Sequence, residues 1–335
     1  MPTTNTTTYG DINQRTAAWA ATEMLSHAEP ILVLSKFGQP KPLPKNKADT
    51  VIFRRPVPFA IPDTPLTEGV TPTAQQMQYE DVPVQIKQWG AWVEITDVVQ
   101  DLAEDPVLAD ASMLCGEQAA ETVEIQTWGA IRAGTNVFYA NGESRDEVNT
   151  PISLHKQRAI TRTLKAQRAK KITSMVGGSP NYSTEPVDAA FIAFAHTDLE
   201  ADIRDMTGFV PTEKYGSMKA LPYEIGKVED VRYVLSPVLD KWADAGGLAG
   251  DMVSTTGDNA DVYPVVYVAK ESYGLIPLKG KGAVTPKVLN PDTPRGGDPL
   301  GQRGSVGWKT YFVAAVLNEM WMARLEVAVS DLEAA

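Results

Sequence analysis

TVIFRRPVPFAIPDTPLTEGVTPTAQQMQYEDVPVQIKQWGAWVEITD, residues Thr50–Asp97, is the stretch whose reading decides the architecture of this chain. Two strand-like runs, Thr50–Val57 and Tyr79–Thr96, flank a tip that carries Pro56, Pro58, Pro62, Pro65 and Pro72. The tip is too long for a tight hairpin turn and too rich in proline for a helix or a central strand. Its apolar residues, Val57, Phe59, Ile61, Leu66 and Val70, lie along an extended arm with no core of its own. A lone two-stranded ribbon is marginal in water. The arm is therefore expected to lie on a neighbour, another copy of the chain being the simplest, and the first reading is assembly. At the base of the arm, Arg54 and Arg55 either pair with carboxylates of a neighbouring chain or face solvent.

Working outward, Val82, Val84 and Ile86 alternate with Pro83, Gln85 and Lys87, and the pattern shifts register near Gly90 before Trp92, Val93 and Ile95. A glycine at a register change predicts a bulge or bend there. The longest helix is predicted from about Pro106 to Ala133, with Asp105 as N-cap, Pro106 at the first helical position and Gly134 just past the end. Leu108, Ala111, Leu114, Cys115, Ala119, Thr122 and Val123 recur at helical spacing as one stripe. Such a helix reaches roughly 40 Å, long enough to be the spine of an elongated unit. Upstream, residues 1–49 read as an arm: a short helix over Gln14–His27, then an extended strap through FGQPKPLPKNKAD. Ile31, Leu32, Leu34 and Phe37 are costly to leave in water, so the strap is expected to be held by partners.

A second helix is predicted over His155–Lys171. Lys156, Arg158, Arg162, Lys165, Arg168, Lys170 and Lys171 surround a thin seam of Ile160 and Leu164. That basic surface is a solvated face, a contact with acidic neighbouring copies, or a contact with nucleic acid. Ala189–Ala195 reads as a buried strand, and Thr197 with Glu200 forms a T-x-x-E capping box ahead of a helix ending near Gly208. Val231–Leu235 and Tyr263–Val268 are further strands, separated by the flexible-looking DAGGLAGDMVSTTGDNAD. Lys279–Gly304 is a Gly- and Pro-rich connection. Two strands close the chain, Val306–Ala314 and Met320–Val329. The second alternates Trp321, Ala323, Leu325, Val327 and Val329 with Met322, Arg324 and Glu326. The fold class is α+β.

At 335 residues the chain can build a sizeable core and two lobes, and 43% hydrophobic with 22% charged residues is ordinary for a globular protein. No apolar run approaches the ~18 residues that span a bilayer. The polar start, MPTTNTTTYGDINQ, lacks the order of a signal peptide, which leads one to expect synthesis in a cytoplasm. The net charge of −11 argues against a general nucleic-acid binder but not against a container wall. The single cysteine, Cys115, excludes an intrachain disulfide and is expected as a small buried residue on the long helix. Nucleotide, hydrolase and zinc motifs are missing. One acidic cluster, His196, Asp198, Glu200, Asp202 and Asp205, suggests a metal-dependent hydrolase. Helical spacing sends Glu200 away from the others, and acids near a helix start also suit its dipole.

The stretches LSKFGQPKPLPKN, VIFRRPVPFAIPDTPLTEGVTP, QWGAWVEITD, CGEQAAETVE, AHTDLEADIRDMTGFVPTEKYG, EIGKVEDVRYVLSP and DPLGQRGSVGWKTYFVAAVLNEMWMARLEV, in that order, resemble the major capsid proteins of tailed double-stranded DNA bacteriophages, in the N-four-like phage capsid family. The resemblance runs from about residue 12 to 332. It implies the Hong Kong-phage capsid fold, with an N-terminal arm at 1–49 and an extended β-hairpin loop at 50–82. The peripheral domain takes 83–184 and 281–335, with its spine helix at about 106–133, and the axial domain takes 185–280. It further implies a structural protein, not an enzyme, without cofactors, metals or membrane contact. Many copies would form hexamers and pentamers of an icosahedral virion shell, made in the host bacterial cytoplasm. Scaffold, portal and decoration proteins are the implied partners, and double-stranded DNA is enclosed without sequence-specific binding. Intersubunit contacts are expected at Arg54, Arg55, Phe59, Ile61, Leu66 and Val70 of the loop and Ile31, Leu34 and Phe37 of the arm. The general fold does not predict the basic helix 155–171, whose own residues lead one to expect an electrostatic interface at Arg158, Arg162, Lys165 and Arg168. The shell of a cellular nanocompartment with the same fold is the alternative.

Overall fold

A computed structural model describes residues 32–44, 46, 48–98, 107–176, 184–216, 218–278, 285–289 and 297–333. The expected helix Gln14–His27, Ile31 and the Asp105–Pro106 helix start lie outside these residues. The first elements are β1 (Gln39–Pro40), β2 (Thr50–Pro56), β3 (Tyr79–Gln85), β4 (Lys87–Thr96) and helix α1 (Val107–Arg132). The middle of the chain holds β5 (Val137–Tyr139), α2 (Leu154–Ala166), β6 (Ile172–Val176), β7 (Thr184–Ala195), α3 (Glu200–Arg204), β8 (Phe209–Pro211), β9 (Glu224–Val228) and β10 (Val231–Leu235). Then come β11 (Tyr263–Val268), β12 (Tyr273–Pro277), β13 (Thr285–Leu289), β14 (Arg303–Val316) and β15 (Met322–Val327).

β2 and β3 pair with each other as an antiparallel ribbon, from Thr50 opposite Gln85 to Pro56 opposite Tyr79. β14 organises a five-stranded sheet: one edge carries β4 over ten residue pairs, the other carries β13 and β12, and β12 carries β1. α1 lies on this sheet. Ala111, Cys115 and Ala119 are small enough to let the helix come close, and they pack with Ile95, Val306 and Trp308. The indole Nε1 of Trp308 donates to Oε1 of Gln118 at 3.0 Å, which fixes the helix along the sheet. Leu114, expected on the inward stripe, is exposed, because the packed face is made of smaller side chains.

The eight-stranded sheet runs β5-β15-β11-β7-β10-β9-β8, with β6 on the first half of β7. β10 and β11 are buried along their whole lengths, as VRYVL and YPVVYV read for strands covered on both faces. α2 covers one face through Ile160 and Leu164, both fully buried, and Ser153 caps it by accepting from the Lys156 amide.

Several expectations change. Gly90 makes no bulge: β4 runs in unbroken register against β14, and the break falls at Ile86. A Cβ at Gly90 would stand 2.7 Å from the Trp308 carbonyl oxygen, so glycine is there for close approach of two strands. The connection expected over Lys279–Gly304 contains β13, an edge strand, where Pro286 is tolerated. The closing strands separate: β14 joins β4, while β15 pairs with β11 and β5 in the larger sheet. The polar side of β15 is largely withdrawn from water. Glu326 is fully buried and receives Arg145 and Arg324. Nor is the segment between β10 and β11 loose. The buried Asp261 carboxylate accepts from Lys241 Nζ (2.5 Å), the Asp244 amide (2.8 Å) and the amide and hydroxyl of Thr255.

Candidate assembly surface

The ribbon has an anchored base and an unaccompanied end. Val51, Phe53 and Val84 are buried with Leu43 and Ile276, which fixes the base to the five-stranded sheet. Each such side chain contributes roughly 1.5–3 kcal/mol when fully removed from water. Beyond Val57, whose amide still reaches the Gln78 carbonyl, the loop 57–78 leaves the body. There Phe59, Ile61, Leu66 and Val70 are 56%, 76%, 78% and 63% exposed. Val57, Met77 and Tyr79 extend the same apolar surface. Apolar side chains in a row, on a backbone that cannot fold back because of its prolines, form a surface suited to lie on another molecule.

The charges on the ribbon are matched within it. Arg54 donates to both oxygens of Asp81 (2.7 and 2.9 Å) and Arg55 to Glu80 (2.9 and 2.5 Å), directly cross-strand. These bonds hold the Asp81 carboxyl below its usual range. The pairing that sequence left open between a neighbour and solvent thus has a third answer, inside the chain.

The strap departs from expectation more clearly. Leu34 is fully buried and Phe37 nearly so, both in the subunit's own core with Phe194, Tyr273 and Leu275. Expected as intersubunit contacts, they are instead covered by their own chain, because the strap lies across α1 and β12. The residue that holds it there was missed. Glu124 of α1 accepts from the amides of Val33 (3.0 Å) and Leu34 (2.7 Å). Its position four residues after Ala120 and seven before Ile131, on the buried stripe, is the signal in the sequence.

On α2, Arg158 pairs with Glu229 (2.5 Å), and Lys165 with Asp230 (2.5 Å), which Lys171 also reaches at 3.0 Å. The side chains lower the pKa of both carboxyls. Arg162 and Arg168 are exposed. The acidic turn between β9 and β10 therefore answers much of the helix's charge.

The His196 cluster does not gather into one site, although His196 Nδ1 lies 3.2 Å from Asp198 Oδ2. His196 Nδ1 accepts from the Asp198 amide (3.1 Å) and so caps the turn in place of the expected Thr197–Glu200 box. Asp198 accepts from the Tyr263 hydroxyl, Glu200 binds Arg204, and Asp202 accepts from the Ser330 amide. Among the described residues no three His, Cys, Asp or Glu side chains are grouped to hold a metal ion, and no helix is long and apolar enough to cross a membrane.

Comparison with known proteins places this geometry. A family model described as phage capsid protein matches residues 79–325. The major capsid protein of Pseudomonas phage KPP21 is 22% identical over 261 residues, covering 72% of this chain and 66% of that protein, just under two thirds of its length. The capsid of Ralstonia phage GP4 superposes with a TM-score of 0.66 at 10% identity, over 89% of this chain and 91% of that one. The capsid of cyanophage Pam1 gives 0.60 at 15% identity, over 91% and 92%. The fold is that of tailed-phage capsid subunits, the Hong Kong-phage-like fold. With a match that runs from the ribbon's returning strand at Tyr79 into the closing strand at Leu325, this chain belongs to the phage capsid protein family.

Proposed function

We propose that the chain is a major capsid subunit of a tailed double-stranded DNA phage, and that its work is assembly, not catalysis. Copies join as hexamers and pentamers into an icosahedral virion shell around the genome, made in the host's cytoplasm. Scaffold, portal and decoration proteins are further partners. The observation that carries this reading is the loop 57–78, with four large apolar side chains more than half exposed on an arm whose base is fixed in the subunit. Laid across an adjacent subunit, that surface adds apolar burial along an edge that the fold itself leaves open. In this reading residues 1–49 are the arm, 50–82 the extended loop and α1 the spine helix. The five-stranded sheet belongs to the peripheral unit and the eight-stranded sheet, β15 included, to the axial unit.

The test is electron microscopy of particles from the full chain and from a variant lacking Phe59–Gln75. The full chain is expected to form closed shells. The variant is expected to stay folded and soluble without closing shells. Normal shells from the variant overturn the role of the loop, and shells filled with protein cargo point to a nanocompartment.

A further inference from the structure

Glu124 is a buried acid that the shell geometry does not use. Its side chain is fully inside the molecule. One oxygen, Oε1, takes both strap amides, while Oε2 has no hydrogen-bond partner among the described residues. The strap is closed over it from the other side by Tyr273, whose hydroxyl donates to the Leu34 carbonyl at 2.6 Å. Further along, the strap is held differently. The amides of Lys41 and Leu43 donate to the carbonyls of Leu275 and Pro277 at 2.9 Å, which are sheet-edge bonds that no proton controls. The amides of Val33 and Leu34 thus depend on a single carboxyl group, while the side chains of Val33, Leu34 and Phe37 pack in the core.

We propose that Glu124 is a proton-operated latch: neutral, it holds the strap against the spine helix, and ionised, it loosens it. A neutral carboxyl still offers Oε1 to both amides and costs less in an apolar site than an ionised one. An ionised one is a buried charge without an ion pair. The strap residues whose amides meet the carboxyl, Val33 and Leu34, belong to an apolar cluster with Val123, Trp128 and Ile131 of α1, Phe194 of β7 and Leu275 of β12. The charged and titratable groups that act on the carboxyl are Lys36 of the strap and Tyr273 of β12. Glu121, one turn earlier on α1, is exposed. Burial pushes Glu124 up to about 7, against the pull of the Leu34 and Val33 amides and of Lys36. Because the docked value is raised, the latch contributes fully below the ordinary carboxyl range and is lost as pH rises through about 7. The latch stands apart from the shell reading, since it is a property of one subunit.

The experiment is hydrogen exchange of the Val33–Phe37 amides in the full-length protein between about pH 5.5 and about pH 8.5, corrected for intrinsic rates, with the β7 amides Phe191–Phe194 as the reference for global opening. Strap protection is expected to fall by roughly 30-fold across this range while β7 stays level, that being the part of the shift that lies above about pH 5.5. Glu124→Gln is expected to keep the strap protected with no pH dependence. Lys36→Met, which removes the cation that favours ionisation, is expected to move the transition to higher pH. A flat profile in the native protein overturns the latch, as does an unchanged slope in Glu124→Gln. If Glu124→Gln does not fold, a transition that stays in place in Lys36→Met overturns it.

Discussion

The Nε of Arg145 donates to Oε2 of Glu326 at 2.7 Å, joining residues 181 positions apart, with the acid fully buried. The other oxygen of Glu326 takes Arg324, and the Arg145 guanidinium lies 3.6 Å over the Trp242 ring. Arg324 in turn reaches the carbonyls of Arg132 and Gly134 at the end of α1. One carboxylate thereby ties the eight-stranded sheet to the end of α1.

Glu326→Gln is expected to destabilise the subunit by about 2–4 kcal/mol, because two guanidiniums lose their counter-charge. The figure sits below that of a fully buried pair because Arg145 keeps some contact with water. Chemical denaturation measures it, and a loss within error of zero shows that water replaces the carboxylate.

Reversing Arg54 and Arg55 to Glu places like charges directly opposite Asp81 and Glu80. The ribbon is expected to fray and particle yield to fall, with the melting temperature of the subunit changed by no more than ~2 °C, since exposed pairs add little to stability. Equal losses of assembly and melting temperature would assign these arginines to the fold.

Asp261 binds the segment between β10 and β11 as a carboxylate. Burial raises its pKa, but the Lys241 ammonium, the Asp244 amide and Thr255 together outweigh it and leave the group below its usual value. Its contribution is present above the ordinary carboxyl range and lost as pH falls through the depressed value. Asp261→Asn is expected to cost about 2–3 kcal/mol. Limited proteolysis between Ala243 and Ala260 should increase in the variant at neutral pH, and in the native protein only on strong acidification.

Two glycines separate packing from propensity. Gly90→Ala puts a methyl 2.7 Å from the Trp308 carbonyl oxygen and is expected to cost about 2 kcal/mol or more. Gly129→Ala, on the exposed side of α1 with nothing within 4 Å, is expected to gain about 0.5–1 kcal/mol. Thermal melts of the two variants should shift in opposite directions.

Much of this molecule is written in local pattern. The prolines between Pro56 and Pro72 leave the loop no helix and no sheet to enter, and it stands exposed. Val231–Leu235 and Tyr263–Val268 are strands at those residues, because runs dominated by valine and tyrosine favour the extended state. The spacing of Ala111, Cys115 and Ala119 marks the inward face of α1, and all three are buried.

What pattern leaves open is the partner of each surface. Leu34 and Phe37 read as apolar residues in need of cover, and nothing in their neighbourhood distinguishes a second copy from their own α1 and β12. Glu326 alternates like a solvent-facing residue until Arg145, brought 181 positions through the fold, makes its burial favourable. Arg54 and Arg158 read as cations for a neighbouring molecule or for solvent until strand register and the β9–β10 turn bring up Asp81 and Glu229. The sequence by itself determined the long helix, α2, the buried strands β10 and β11 and the extended loop, because those states depend on neighbours within a few residues, while β13 stayed hidden in a Gly- and Pro-rich stretch. Only the tertiary structure decided what covers the strap, where β15 pairs and which charges meet, because those outcomes depend on contacts between residues far apart along the chain.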